Sequence, residues 1–109
     1  MLHLYLSLHL LCLGPAMEDK SNCELVVTGH NTPKGEHVLT PWSVPAKDQA
    51  RYGSTWWQIG TDQDLGIHGW PHFSPWQAKV VKSHDCVRVS QSMLNKIKEF
   101  QPKSLKISE

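Results

Sequence analysis

The chain has 109 residues, enough for one small domain, with a formal net charge of +1, 19% charged and 39% hydrophobic residues. That balance excludes a disordered chain, and it offers no net field or basic run to attract nucleic acid or an anionic membrane surface. A chain this short has a small core, so turns and local packing must specify much of the fold.

Met1 to Ala16 is apolar and ends in Gly14-Pro15-Ala16, a small-residue pattern that a signal peptidase could cut. No Lys or Arg precedes Lys20, so the positive region of a usual leader is missing. Leu2, Leu4, Leu6, Leu8 and Leu10 alternate with His3, Tyr5, Ser7 and His9, the pattern of a half-buried strand. Residues 1–16 therefore read either as a signal peptide or as a first strand. They are too short and interrupted for a stable membrane span.

Glu24 to Thr28 is β-branched and closed by Gly29, which predicts a short strand. Asn31-Thr32-Pro33-Lys34-Gly35 has the composition of a turn. His37 to Thr40 predicts a second strand, ended by Pro41, and Trp42 to Gly53 reads as irregular. Thr55 to Ile59 and Leu65 to His68 predict two further strands around a turn at Asp62-Gln63-Asp64. Residues 70–82 read as a loop carrying Pro71, Pro75, Trp70 and Trp76. Ser90 is a good N-cap for one helix, with Met93, Leu94, Ile97 and Phe100 on one face and Pro102 ending it. Leu105-Lys106-Ile107 alternates as a last strand. The sum is a mostly β domain with one helix and no repeat.

Cys12, Cys23 and Cys86 do not make a disulfide framework by number. A Cys23–Cys86 bridge is the structural alternative to a reactive thiol at Cys86. The thiol reading draws on Ser83-His84-Asp85-Cys86-Val87-Arg88. In an extended stretch His84, Cys86 and Arg88 point to one side, and a positive neighbourhood favours a thiolate. Helix entry near Ser90 would add backbone N–H groups suited to an oxyanion. His68, at the end of a predicted strand, could return to Cys86 across adjacent strand ends, with a backbone carbonyl orienting its ring. His68, His72, His84 and Cys86 also contain His-x₃-His and His-x-Cys pairs, which leave a tetrahedral zinc module as an alternative. Trp56, Trp57, Trp70 and Trp76 read as core and loop anchors before sugar-stacking platforms.

Ile67-His68-Gly69 followed by Ser83-His84-x-Cys86-Val87-Arg88 resembles the signature of the L,D-transpeptidase catalytic domain, the bacterial cysteine enzymes that cross-link peptidoglycan. Thr28-Gly29 with Thr32-Pro33-x-Gly35, and Tyr52-Gly53-Ser54-x-Trp56, resemble further segments of that family. The resemblance spans residues 24–109 as one catalytic domain. It implies a β-sandwich or mixed sheet with one helix after the catalytic cysteine, here with the first strands missing or shortened. By position, Cys86 matches the nucleophile, and His68 the general base held by the carbonyl of Gly69. His84 matches the second histidine supporting the thiolate, and Asp85 and Cys86 border the oxyanion region. Ser83 and Arg88 match residues that hold the motif and place the stem peptide, with Trp70 beside them.

The resemblance further implies acyl transfer through a Cys86 thioester from a tetrapeptide stem, releasing D-alanine, to an amine acceptor. The alternatives are L,D-carboxypeptidase activity with water as acceptor, or a non-catalytic peptidoglycan-binding relic. It implies no cofactor and no metal, peptidoglycan stem peptides as partners, a monomer, and export to the periplasm or cell envelope of a bacterium. Asp85 departs from the family's glycine, and its charge beside a thiolate would raise the thiol pKa and oppose an oxyanion.

Overall fold

The computed structural model describes residues 1–14, 22–29, 32–62, 64–70, 77 and 86–109. The leucine alternation at the N-terminus resolves into a hairpin rather than one strand. β1 (Leu2–Tyr5) and β2 (Leu10–Leu13) are antiparallel across a turn at residues 6–9, where His9 takes a left-handed φ of 53°. Leu2, Leu4 and Leu11 have no exposed surface. The strands expected to be missing or shortened are represented here by these two, each four residues long.

β3 (Cys23–Leu25) pairs antiparallel with β2 and sets Cys12 directly opposite Cys23. These two cysteines form a disulfide. This corrects the pairing considered from sequence, which joined Cys23 to Cys86. Direct cross-strand neighbours lie within bridging distance, whereas Cys86 stands at the start of a strand elsewhere in the sheet.

β4 (Gly35–Ser43) runs through Pro41, against the expectation that proline ends it. Its backbone bonds explain why. Val38 and Val44 bond toward the following strand, while the Leu39 N–H bonds the other way, to the Lys103 carbonyl. By alternation, the ring nitrogen of Pro41 faces that other side, beyond the start of the neighbouring strand, so no ladder bond is lost. The segment expected to be irregular continues as a 3₁₀ turn (Ala46–Asp48) and a short helix, α1 (Gln49–Tyr52), ended by Gly53 at φ 79°. Among the described residues, this short helix and the one after Cys86 stand where a single helix was expected.

β5 (Thr55–Ile59) and β6 (Gly66–Gly69) form an antiparallel hairpin, and β7 (Val87–Val89) lies parallel to β6. α2 (Gln91–Phe100) begins where Ser90 Oγ accepts the Met93 N–H at 3.0 Å, and it buries Met93, Leu94 and Ile97. Phe100, expected on that face, is exposed. β8 (Ser104–Ser108) then inserts between β1 and β4, parallel to the first and antiparallel to the second.

The strands make one mixed sheet in the order β3-β2-β1-β8-β4-β5-β6-β7. Its two ends meet: Val27, just after β3, exchanges both backbone hydrogen bonds with Arg88 of β7 at 2.9 Å. The sheet is therefore nearly closed and barrel-like, not a sandwich. Leu4, Leu39, Ile59, Ile67, Leu105 and Ile107 pack with Leu94 and Ile97 of α2 in one core. Curling hides both terminal strands from edge pairing.

Candidate active site

The site is built around the end of β6. His68 is only 5% exposed, and its Nδ1 lies 2.8 Å from the carbonyl oxygen of Gly69. A carbonyl can only accept, so Nδ1 carries the proton and Nε2 keeps its lone pair whenever the ring is neutral. Burial holds the His68 pKa below its ordinary value of 6.5, opposed by the Gly69 hydrogen bond and assisted by the charges of Arg88 and Arg51. At neutral pH the ring is a neutral base with a defined tautomer.

Two aromatic neighbours flank the ring. The Trp56 indole stacks parallel to it, with centroids 5.1 Å apart and planes 1° apart. Tyr52 approaches edge-on at 5.2 Å, and also meets Trp56 edge-on at 5.7 Å. The backbone beneath is tight: a Cβ on Gly69 would lie 3.3 Å from Leu94 Cδ2 and from the Cα of Gly53. Gly53 needs to be glycine on two counts, its positive φ and a Cβ position 2.9 Å from Leu94 Cδ2. These close approaches seat the end of α1 on β6 and bring Tyr52 over His68.

β7 supplies the other wall. Arg88 is the parallel-sheet neighbour of His68, and its guanidinium lies 4.6 Å from the centre of the Trp70 ring. Trp70 is tied to β7 by its N–H on the Val89 carbonyl at 3.1 Å. Cys86 immediately precedes β7. Extending the Ile67–Val87 register by one residue sets it opposite Gly66, two residues, or about 7 Å, along from His68. The half-buried Cys86 thiol donates to the Asp64 carbonyl at 3.2 Å.

The structure thus places His68, Gly69, Trp70, Cys86 and Arg88 on two adjacent strands and their ends. Ser83, His84 and Asp85 lie outside the described residues, as do His72 and Trp76. Among the described residues, no group of three or more His, Cys, Asp or Glu is arranged to hold a metal. Sequence reasoning gave no site role to Tyr52, Trp56, Gly66 or the Asp64 carbonyl. Tyr52 and Trp56 stood in a noted segment, but nothing in their spacing announced ring contacts with His68.

Comparison with known proteins places the chain. Residues 16–104 match the model of the YkuD family, the L,D-transpeptidase catalytic domain. No curated protein matches significantly. Among solved structures, a cysteine-to-serine variant of the Enterococcus faecium L,D-transpeptidase superposes with a TM-score of 0.72 at 15% identity, over 98% of this chain and 48% of that one. The L,D-transpeptidase of Stackebrandtia nassauensis gives 0.68 at 18% identity, over 99% and 54%. The isolated catalytic domain from E. faecium gives 0.59 at 14% identity, over 98% and 95%. The chain therefore spans about half the length of the two longer proteins and nearly all of the isolated domain. At these identities the structures establish the fold, and among the described residues no helix is long and apolar enough to cross a membrane. The family match covers most of the sequence, and the chain belongs to the YkuD L,D-transpeptidase catalytic-domain family, cysteine enzymes of the cell envelope that act on peptidoglycan.

Proposed function

We propose that the chain is a peptidoglycan L,D-transpeptidase that works through a Cys86 thioester. The observation that carries this reading is the buried, neutral His68 with Nδ1–H on the Gly69 carbonyl, on the strand beside the one Cys86 leads. Nε2 takes the Cys86 proton, and the sulfur attacks the carbonyl carbon of the L,D-peptide bond in a tetrapeptide stem. The carbon–nitrogen bond breaks, and D-alanine leaves with the proton from His68. An amine of a second stem then attacks the thioester, gives its proton to His68 and releases the thiolate. With water as acceptor the same steps make an L,D-carboxypeptidase, and product analysis with and without an acceptor amine separates the two.

Arg88 and Trp70 stand beside this site, and we assign them, with Ser83, to placing the anionic stem peptide. His84 is assigned to supporting the thiolate. The Cys12–Cys23 disulfide supports export, because such bonds persist in oxidising compartments. The test is incubation of the folded protein with a carbapenem, followed by intact mass measurement. One adduct per chain is expected, and none on Cys86→Ala. An unmodified wild-type chain would sink the transpeptidase reading.

A second reading, a non-catalytic peptidoglycan-binding relic, draws on the thiol's hydrogen bond to the Asp64 carbonyl and on Asp85 in place of glycine. Asp85→Gly separates the readings: a gain of acylation from nothing supports the relic, whereas an already active wild-type chain excludes it.

A further inference from the structure

The strand register carries an arrangement beyond the nucleophile and its base. β5 and β6 are paired with Trp57 opposite Ile67 and Gln58 opposite Gly66, so Trp56 falls opposite His68 on the same face. On β4, Trp42 is opposite Trp56, and on β7, Arg88 is opposite His68. A single cross-strand row therefore runs Trp42, Trp56, His68, Arg88. Within it the indole and imidazole planes are parallel to within 1° at a centroid separation of 5.1 Å, an offset stack. Gly66 is two residues before His68, on the same side of β6. A Cβ there would overlap the Cε2, Nε1 and Cζ2 atoms of Trp56. The bare Cα of Gly66 is what lets the indole lie across β6 and reach His68. Tyr52, edge-on to both rings, closes the third side.

We propose that Trp56 is a positioning residue, whose indole, seated on Gly66, clamps the His68 imidazole in the orientation that keeps Nδ1–H on the Gly69 carbonyl. The proposal rests on the reading of His68 as the base in acyl transfer. Without the indole, the ring gains rotational freedom about its terminal torsion, which is broad and roughly two-fold, so a flipped ring becomes accessible. A flip would carry Nδ1–H to the position of Cδ2, off the Gly69 carbonyl, and Nε2 to that of Cε1, leaving the base pointing the wrong way. Water would also reach the ring, easing its protonation. The charged groups acting on His68 are Arg88, from β7, and Arg51, from α1.

The test uses the full chain and reads His68 directly, by two-dimensional NMR correlating the imidazole nitrogens with the carbon-bound ring protons across a pH titration. In the wild-type protein we expect an Nδ1–H neutral tautomer, His68 ring protons displaced from random-coil shifts by the indole ring current, and a midpoint below that of an exposed histidine. Trp56→Ala should raise that midpoint, mix the tautomers and slow carbapenem acylation by roughly tenfold or more with little change in the half-saturating concentration. Trp56→Phe, which keeps a flat ring, should restore most of the rate and the tautomer. Random-coil ring-proton shifts in the wild-type protein would overturn the proposal without any variant. So would a folded Trp56→Ala with unchanged tautomer and midpoint. Because the titration needs no turnover, a wild-type chain that never acylates defeats the proposed function separately from the clamp.

Discussion

His68 shows how little of a histidine's behaviour lies in its own identity. Seven histidines occur in the chain, and this one is set apart by what surrounds it. Gly69 supplies the carbonyl, Gly53 and Leu94 press on the backbone beneath, and Gly66 makes room for Trp56. A consequence follows for stability against pH. The folded His68 pKa lies below the unfolded value near 6.5, so the unfolded chain binds this proton first as the pH falls. The contribution of a neutral His68 is therefore complete above pH 6.5 and declines as the pH drops from there through the folded pKa. Urea titrations across this window should show the wild-type protein losing stability on acidification more steeply than His68→Gln. Parallel pH profiles for the two would refute the depressed pKa. The Ile-His-Gly and Ser-His-x-Cys segments were legible as a family resemblance because their spacing is distinctive. Trp56 and Tyr52 were not, because a ring contact across strands depends on register, which no local pattern states.

Local elements followed their signals where those signals were short-range. The Ser90 cap, the buried Met93, Leu94 and Ile97 of α2 and the alternation in β8 appear at the expected positions, while Phe100 stays exposed. Departures occurred where pairing decided the outcome. Pro41 is tolerated in β4 because its ring nitrogen faces the β8 side at a level beyond the first residue of β8. The leucine alternation breaks into β1 and β2 because β8 and β3 pair with them on either side. The same pairing makes the disulfide, which closes a loop of 11 residues in sequence separation. A loop of that length is worth about 3 kcal/mol in the chain-entropy account. Cys12→Ser should accordingly lower the denaturation midpoint by a corresponding amount, and reduction of the wild-type protein should match it. An unchanged midpoint in both experiments would show that the bond adds nothing to the hairpin.

The arrangement of the sheet ties the chain's beginning to its site. β1 sits next to β8, and the segment after β3 closes onto β7 through Val27 and Arg88. We propose that residues 1–14 are part of the catalytic fold itself. They bury Leu2, Leu4 and Leu11 against Leu105 and Ile107 in the common core. Deleting them should expose that surface, abolish cooperative unfolding and remove carbapenem acylation together. A truncated chain that unfolds cooperatively at the wild-type midpoint would refute this. Substitution of Leu4 by alanine is the milder version, expected to cost about 2–5 kcal/mol.

By itself, the sequence determined the mostly β character, the capped helix after Cys86 and the motif pair that names the family. Each of these rests on residues close together along the chain, or on spacing specific enough to stand alone. The tertiary structure decided the single curled sheet, the Cys12–Cys23 pairing, the passage of β4 through Pro41 and the aromatic enclosure of His68. These depend on which strands become neighbours and in what register. That is settled by the collective burial of the core, with Leu2, Leu4, Ile67, Leu94, Leu105 and Ile107 packed together, and not by any segment alone.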